Sequence, residues 1–230
     1  MKNIFSYLLL SISAVALTLI MILLGSSATN TITFEDRLFV TVAFVTSCIF
    51  GISIAIYPSW WKKFLRHADR KSNIKSEKTV RAFRGHHPDC DTFKSHSIMI
   101  KNKLRCAGCL GLIIGSIESI FMMVLFLFIL PNLSLTTLYF LFGLGLLIPL
   151  FIYGEIMLPK RHAIIHIILN IALIFGFFCL TIGVIEITRN AIYAILTIII
   201  CFLLLDTRIQ LSNWNHTRMC NSCPESCKMY

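Results

Sequence analysis

The residues of this sequence that could do chemistry are cysteines and histidines, gathered in one stretch near the middle of the chain and one at its end. The chain has nine cysteines and seven histidines. The candidate metal ligands among them are Cys90, Cys106, Cys109, Cys220, Cys223, Cys227, His86, His87, His96 and His216. Two C-x-x-C pairs lie at Cys106 and Cys109 and at Cys220 and Cys223, and this spacing lets two thiolates hold one tetrahedral ion. Each pair supplies two ligands, so the two pairs together predict one four-thiolate zinc site.

Other ligands lie close by in the sequence and leave the pairing open. His87 and Cys90 repeat the two-residue gap, which allows a second site of mixed His/Cys type. An iron–sulfur cluster is the alternative cofactor, because three cysteines are clustered in the tail. The tail does not match the bacterial ferredoxin spacing, and abundant histidine favours zinc. Redox-active or unmetallated thiols are the remaining interpretation.

The elements that must position these residues are strongly apolar. The chain of 230 residues is 57% hydrophobic and 14% charged, whereas a soluble domain is about 45–50% apolar and about 25% charged. This composition excludes a soluble globular domain and a disordered chain. Six stretches are long enough to cross a bilayer: 4–24, 38–57, 110–130, 135–153, 163–184 and 191–205. Because backbone groups in lipid must be satisfied within the segment, we predict an all-α integral membrane bundle of about six transmembrane helices.

The positive charges are distributed unevenly along the chain. Lys and Arg number 21 against 11 Asp and Glu, for a net charge of +10. All Lys and Arg except Arg37 and Arg189 fall in 1–3, 58–109, 154–162 and 206–230. The positive-inside rule therefore places both termini in the cytoplasm and the chain in the cell membrane. This asymmetry explains the charge excess, so we expect lipid, other membrane subunits or a second copy as partners, and not nucleic acid.

The chain then divides into four parts. Residues 1–57 carry the first two helices, 58–109 form a basic Cys/His-rich cytoplasmic loop, 110–205 carry helices three to six, and 206–230 form a Cys-rich cytoplasmic tail. We interpret the first span as a retained helix, since its apolar core is longer than that of a usual signal peptide. Because the cytoplasm is reducing, the cysteine clusters predict metal binding or redox chemistry and not permanent disulfides.

Four polar residues inside or beside the spans are further candidates. Glu118 lies in the third span, about 13 Å along the helix axis from Cys109, and an ionisable group at that depth is costly. Its candidate partners are His166 and Asn170 in the fifth span, and His162 lies four residues before His166. The functional interpretation is a proton relay or a second metal position. The alternative, which we favour, is a neutral glutamic acid hydrogen-bonded between two helices.

Small residues predict where helices approach closely. Gly111 and Gly115 form a G-x-x-x-G at the start of the third span, and Gly143 and Gly145 form a second pair of small residues in the fourth. Such a face lets another helix pack closely, either within the chain or in a second copy.

One part of the sequence resembles a known pattern. The residues are Gly85-His86-His87-Pro88-Asp89-Cys90, followed by Cys106-Ala107-Gly108-Cys109-Leu110-Gly111 and then Gly115. They resemble the motif of an uncharacterised family of small prokaryotic membrane proteins, in which a Cys/His-Pro element precedes C-A-x-C-x-G-x-x-x-G at the start of a helix. Bacterial members commonly have Cys-His in place of His86-His87 and Arg in place of Gly108, so the match is closer to archaeal-type relatives. The resemblance covers about 30 residues and implies a multi-helix membrane protein with conserved thiols and no established activity.

Three kinds of function fit these features. The one we favour is a membrane scaffold or accessory subunit, in which zinc joins the loop to the tail and supplies folding free energy that a small loop cannot gain by burial. The second is a membrane-embedded enzyme, either a hydrolase using metal-bound water or a thiol redox enzyme, with Glu118, His162 or Asp89 as acid or base. The third is a transporter or metal-handling protein, which the small number of charges within the helices disfavours.

Overall fold

A computed structural model describes residues 2–25, 31–56, 97–100, 103–129, 133–156 and 162–221. The described residues form six helices: α1 (Lys2–Gly25), α2 (Phe34–Ile56), α3 (Ala107–Ile129), α4 (Leu135–Ile156), α5 (Ala163–Thr188) and α6 (Ala191–Asn221). Two short antiparallel strands precede α3, β1 (Ser97–Ile100) and β2 (Lys103–Cys106), with Ser97 opposite Cys106. All six helices are long and apolar enough to cross a membrane. The predicted all-α membrane bundle is confirmed.

Helix α5 is the centre of the bundle and contacts α1, α3, α4 and α6. Every residue in 176–188 is buried. A helix that is hydrophobic all round either lies in a core or spans a membrane, and this part of α5 is covered by its neighbours on every side. The other helices, and the first two turns of α5 at Ile164, Ile165 and Ile168, leave large apolar side chains exposed, as expected of surfaces that face lipid.

Glycines set how closely α3 and α4 approach α5. A Cβ on Gly111 would lie 2.6 Å from the carbonyl oxygen of Ile167, and one on Gly115 would lie 2.9 Å from the Cα of Ile171. The predicted small-residue face of α3 is therefore a real contact, and its partner lies within the same chain. On α4, Gly145 makes a similar contact with α5, whereas a Cβ on Gly143 would meet no atom within 4 Å.

Most helix boundaries differ from the predicted spans by one to four residues, and two of the differences bear on the candidate site. Helix α3 begins directly after Cys106, three residues before the predicted start, because β2 leads straight into it. Helix α6 continues to Asn221, well past the predicted end at residue 205. Its extension stays packed, since Leu211 is fully buried and the Asn215 side-chain amide donates a hydrogen bond of 3.1 Å to the carbonyl of Ile156. The first part of the predicted tail is thus a continuation of the bundle.

Polar contacts join α6 to α1 and α4 near this extension. The hydroxyls of Ser11 and Thr207 are 2.8 Å apart, and the Tyr153 hydroxyl donates a 2.7 Å hydrogen bond to the carbonyl of Leu204. Because few alternative partners exist in an apolar bundle, such bonds fix the rotation of α6. They hold the following residue, Arg208, toward the interior.

Candidate functional site

The first predicted C-x-x-C pair lies at the junction of β2 and α3. Cys106 is the last residue of β2 and Cys109 is the third residue of α3. The chain enters the helix between them, so both residues line the same pocket, and their side chains are close enough to interact. Cys106 is only 4% exposed, Cys109 is partly buried, and neither is in a disulfide.

Gly108 brings α5 against this turn. A Cβ at position 108 would lie 3.2 Å from Nε2 of His166 and 3.8 Å from Nδ2 of Asn170. Both of these α5 side chains are buried, Asn170 completely. The missing side chain of Gly108 therefore makes room for an imidazole beside the two thiols.

Arg208 brings a buried cation to the same place. It is 5% exposed, and one guanidinium nitrogen lies 3.4 Å from Nε2 of His166. The guanidinium is also near enough to Cys109 to interact with its thiol electrostatically. Sequence reasoning counted Arg208 only as a positive charge of the tail.

The thiols face a pocket of about 260 Å³ between α2, α3, α5 and α6. Its polar wall is formed by Cys106, Cys109, His166, Asp206, Arg208, Ser212 and Asn213. Its apolar wall includes Phe50, Leu112 and Phe202. A smaller, almost wholly apolar cavity of about 50 Å³ shares the lining residues Gly51, Ser116, Ile174, Phe202 and Leu205 with it and extends to Cys48 and Cys201. We call the two together the cleft.

The expected pairing of Glu118 with the buried polar residues of α5 is wrong. Ser119 is fully buried and continues the stripe of Gly111 and Gly115 that faces α5. Glu118 is one residue away, a rotation of about 100°, and its side chain lies on the exposed face of α3. His162 is exposed just before α5, whereas His166 and Asn170 are buried.

Only part of the predicted set of metal ligands falls within the described residues. His86, His87, Cys90, His96, Cys223 and Cys227 lie outside the described residues, and His216 and Cys220 are described only as backbone positions of α6. Within the part of the chain that the structure describes, no group of three or more His, Cys, Asp or Glu side chains could hold a metal ion. The zinc site and its iron–sulfur alternative therefore stay predictions, with Cys106 and Cys109 as the two described ligands.

Comparison of the chain with protein-family models, with curated proteins and with solved structures finds no match. The resemblance of the motif around Cys106 and Cys109 to a prokaryotic membrane family stays a prediction.

Proposed function

We propose that this chain is a membrane-embedded thiol redox enzyme in which Cys106 and Cys109 cycle between dithiol and disulfide. The observation that carries the proposal is that Cys106 and Cys109, two residues of one C-x-x-C pair at the start of α3, line the same pocket of the cleft. Neither thiol is in a disulfide, so both are available to form the S–S bond of about 2.05 Å between them.

The surroundings of the thiols support an enzyme more than a scaffold. A structural zinc site is closed and needs no cavity beside it. Here the thiols border the larger of the two cavities of the cleft. A mostly apolar pocket with a few converging polar groups is the usual form of a small-molecule site. A buried arginine in a membrane helix is costly and by default functional. Arg208 takes the role of stabilising charge on sulfur, and His166, beside both, positions the guanidinium.

The experiment that tests this function measures the redox state of the two thiols. The purified full-length protein is equilibrated in glutathione buffers of increasing potential, and free thiols are alkylated and identified by mass spectrometry. We expect Cys106 and Cys109 to lose reactivity together, in one two-electron transition, as a disulfide forms between them. Cys106→Ser and Cys109→Ser should each abolish the transition.

The matched control is Cys179→Ser, since Cys179 is buried in α5 and lines neither cavity of the cleft. It should leave the transition unchanged. If Cys106 and Cys109 react independently at every potential and form no disulfide with each other, the redox proposal is wrong.

A second candidate function is the zinc-locked scaffold or accessory subunit, and the course of α6 favours it. Asn213 lines the same pocket as the two thiols, and Cys220 follows seven residues later in the same helix. Seven residues of helix are close to two turns, so the backbone of Cys220 lies about 10 Å further along α6 than that of Asn213. The thiols of Cys106 and Cys109 fit two positions of a tetrahedral site.

Metal analysis separates the two functions. The scaffold function predicts one zinc ion per chain, and it predicts that replacing either Cys106 or Cys220 with Ser removes the metal. That result would contradict a Cys106–Cys109 pair that cycles freely between dithiol and disulfide. Visible absorption of the protein as isolated would instead indicate an iron–sulfur cluster.

We also propose that the thiol end of the bundle faces the cytoplasm and that the protein resides in the cell membrane. The support is the asymmetry of Lys and Arg, of which only Arg37 and Arg189 belong to the other end. The partners that fit a surface of exposed apolar side chains are lipid, a second copy of the chain or other membrane subunits.

A further inference from the structure

We infer that the electron partner of the Cys106–Cys109 pair is a membrane-soluble quinone, with its ring beside Arg208 and its apolar chain along the cleft. This inference rests on the proposed redox function and names its second substrate. Three observations carry it: the graded polarity of the cleft, its opening beside α2, and the donors at its polar end.

The cleft changes from polar to apolar along its length. Cys109, His166 and Arg208 line the end near the start of α3, whereas Cys48, Phe177 and Cys201 line the other end, deeper in the membrane-spanning helices. A water-soluble ligand would leave the deep end unused. An amphiphile with a compact polar head and an apolar chain occupies both ends.

The cleft is open on the side of α2 and α6. Phe50 on α2 and Phe202 on α6 line it and are each 38% exposed. Gly51 lies on the lining, and a Cβ added there would meet no atom within 4 Å. Since these residues belong to membrane-spanning helices, a ligand from the lipid phase can enter between them.

The polar end suits a neutral ring with carbonyl oxygens. A guanidinium offers N–H donors and a quinone offers two carbonyl acceptors. The larger cavity, about 260 Å³, is near the lower limit of small-molecule sites, which run from about 300 Å³, so it suits one or two fused rings. The ring would then lie beside the thiol of Cys109.

The redox step balances without any further reactant. Two S–H bonds break and one S–S bond forms between Cys106 and Cys109. The two electrons and two protons released convert the two carbonyl oxygens of the quinone into the hydroxyls of the quinol. In the opposite direction a quinol reduces the disulfide, and the relative potentials of the two couples decide which direction runs.

The test follows quinone reduction by the prereduced full-length protein in detergent, without oxygen. The probe is a benzoquinone with a decyl chain and no free ring position, because thiols cannot add to its ring. We expect its absorbance to change by one quinol per Cys106–Cys109 disulfide formed. Arg208→Gln should slow the reaction about tenfold or more, as expected for loss of a charged donor.

The variant that tests most directly whether the quinone binds in the cleft is one that fills the cleft. Gly51→Leu places a side chain in the open space of the lining, and Gly143→Leu is the matched control, since it too enters open space but on α4, away from the cleft. We expect Gly51→Leu to slow quinone reduction about tenfold or more by steric exclusion, and Gly143→Leu to leave it unchanged. Both variants should keep the glutathione-dependent transition of the thiols.

The outcomes separate this inference from the proposed function. If glutathione oxidises the pair but the quinone does not, or if the two leucine variants react alike, the quinone inference is overturned and the redox function stands. If neither oxidant forms the disulfide, both fall. An anionic lipid that blocks the quinone equally in all variants would identify the cleft as a lipid site and also overturn the inference.

Discussion

At the scale of single residues, Glu186 joins the two arginines at the end of the bundle far from Cys106. Its carboxylate accepts hydrogen bonds of 2.8 and 3.1 Å from Arg37, and Arg189 lies 3.8 Å away. Glu186 is 4% exposed, so this charge is buried among its partners. Arg37 is on α2 and Glu186 on α5, and the pair therefore ties the start of one helix to the end of the other.

Glu186→Gln should destabilise the protein. The variant keeps the shape of the side chain but leaves the mostly buried Arg37 without its counter-charge, and charge-assisted hydrogen bonds are worth about 1.5–3 kcal/mol. We expect the free energy of unfolding in detergent to fall by about 2 kcal/mol. Glu35→Gln is the control, because Glu35 is exposed in the first turn of α2. Equal stability of the two variants would show that the ion pair contributes nothing.

Glu118→Leu, in contrast, should not destabilise the protein and should favour its insertion into the membrane. Glu118 lies on the exposed face of α3, within the part of the helix that can cross the membrane. Replacing an ionisable side chain by leucine near the middle of a span favours membrane insertion by about 2 kcal/mol or more. We expect more inserted protein and no loss of folded stability or thiol cycling. A clear loss of stability would mean that another chain covers this face.

At the same scale, the sequence singled out Cys106 and Cys109, as candidate zinc ligands, but did not single out Arg208. The C-x-x-C spacing identifies Cys106 and Cys109 directly, because the spacing itself is the chemical signal. Arg208 carries no such signal and was one of many basic residues beyond the last span. Its burial depends on α6 continuing as a packed helix, and only the position of Thr207 and Leu211 at helical spacing in that segment hints at this.

At the scale of elements, the crossing of α3 and α5 depends on glycine. Gly111 and Gly115 lie four residues apart on one face of α3, and the backbone of α5 occupies the space their side chains would fill. Gly108, one turn earlier, faces His166 on the same helix. The close crossing of these helices therefore also places the histidine beside the thiols.

Gly111→Ala should separate α3 from α5. The new Cβ would lie 2.6 Å from the Ile167 carbonyl oxygen, so the helices must move apart at a cost of about 1–3 kcal/mol. Gly143→Ala, in open space on α4, should be neutral or stabilising by less than about 1 kcal/mol. Thermal unfolding in detergent measures both. A Gly111→Ala protein as stable as the control would contradict a tight crossing.

At this scale, the sequence predicts the six membrane-spanning helices but not the end of α6 or the two strands. Six membrane-spanning helices follow from the length of the apolar stretches alone, since lipid leaves the backbone few alternatives. The end of α6 does not follow from hydropathy, because its last part is packed through Asn215 and Leu211 and contains polar residues. The strands β1 and β2 were not predicted either, since two strands of four residues carry little periodic signal.

At the scale of the whole molecule, the two ends of the bundle differ in chemistry. One end holds Cys106, Cys109, His166 and Arg208 beside an open cleft. The other holds Glu186 with two arginines. Helix α5 spans both ends, with His166 near its start and Glu186 near its end. Which end faces the cytoplasm decides the redox environment of the thiols.

The asymmetry of Lys and Arg predicts that the thiol end is inside, and single cysteines can test this. In a variant whose own cysteines are replaced, Glu35→Cys and Thr217→Cys introduce exposed thiols in the first turn of α2 and near the end of α6. We expect a membrane-impermeant maleimide to label Glu35→Cys on intact cells, and Thr217→Cys only after permeabilisation. The reverse pattern would place the thiols in an oxidising compartment, where a Cys106–Cys109 disulfide would be the resting state and a zinc thiolate site would lose its reducing environment.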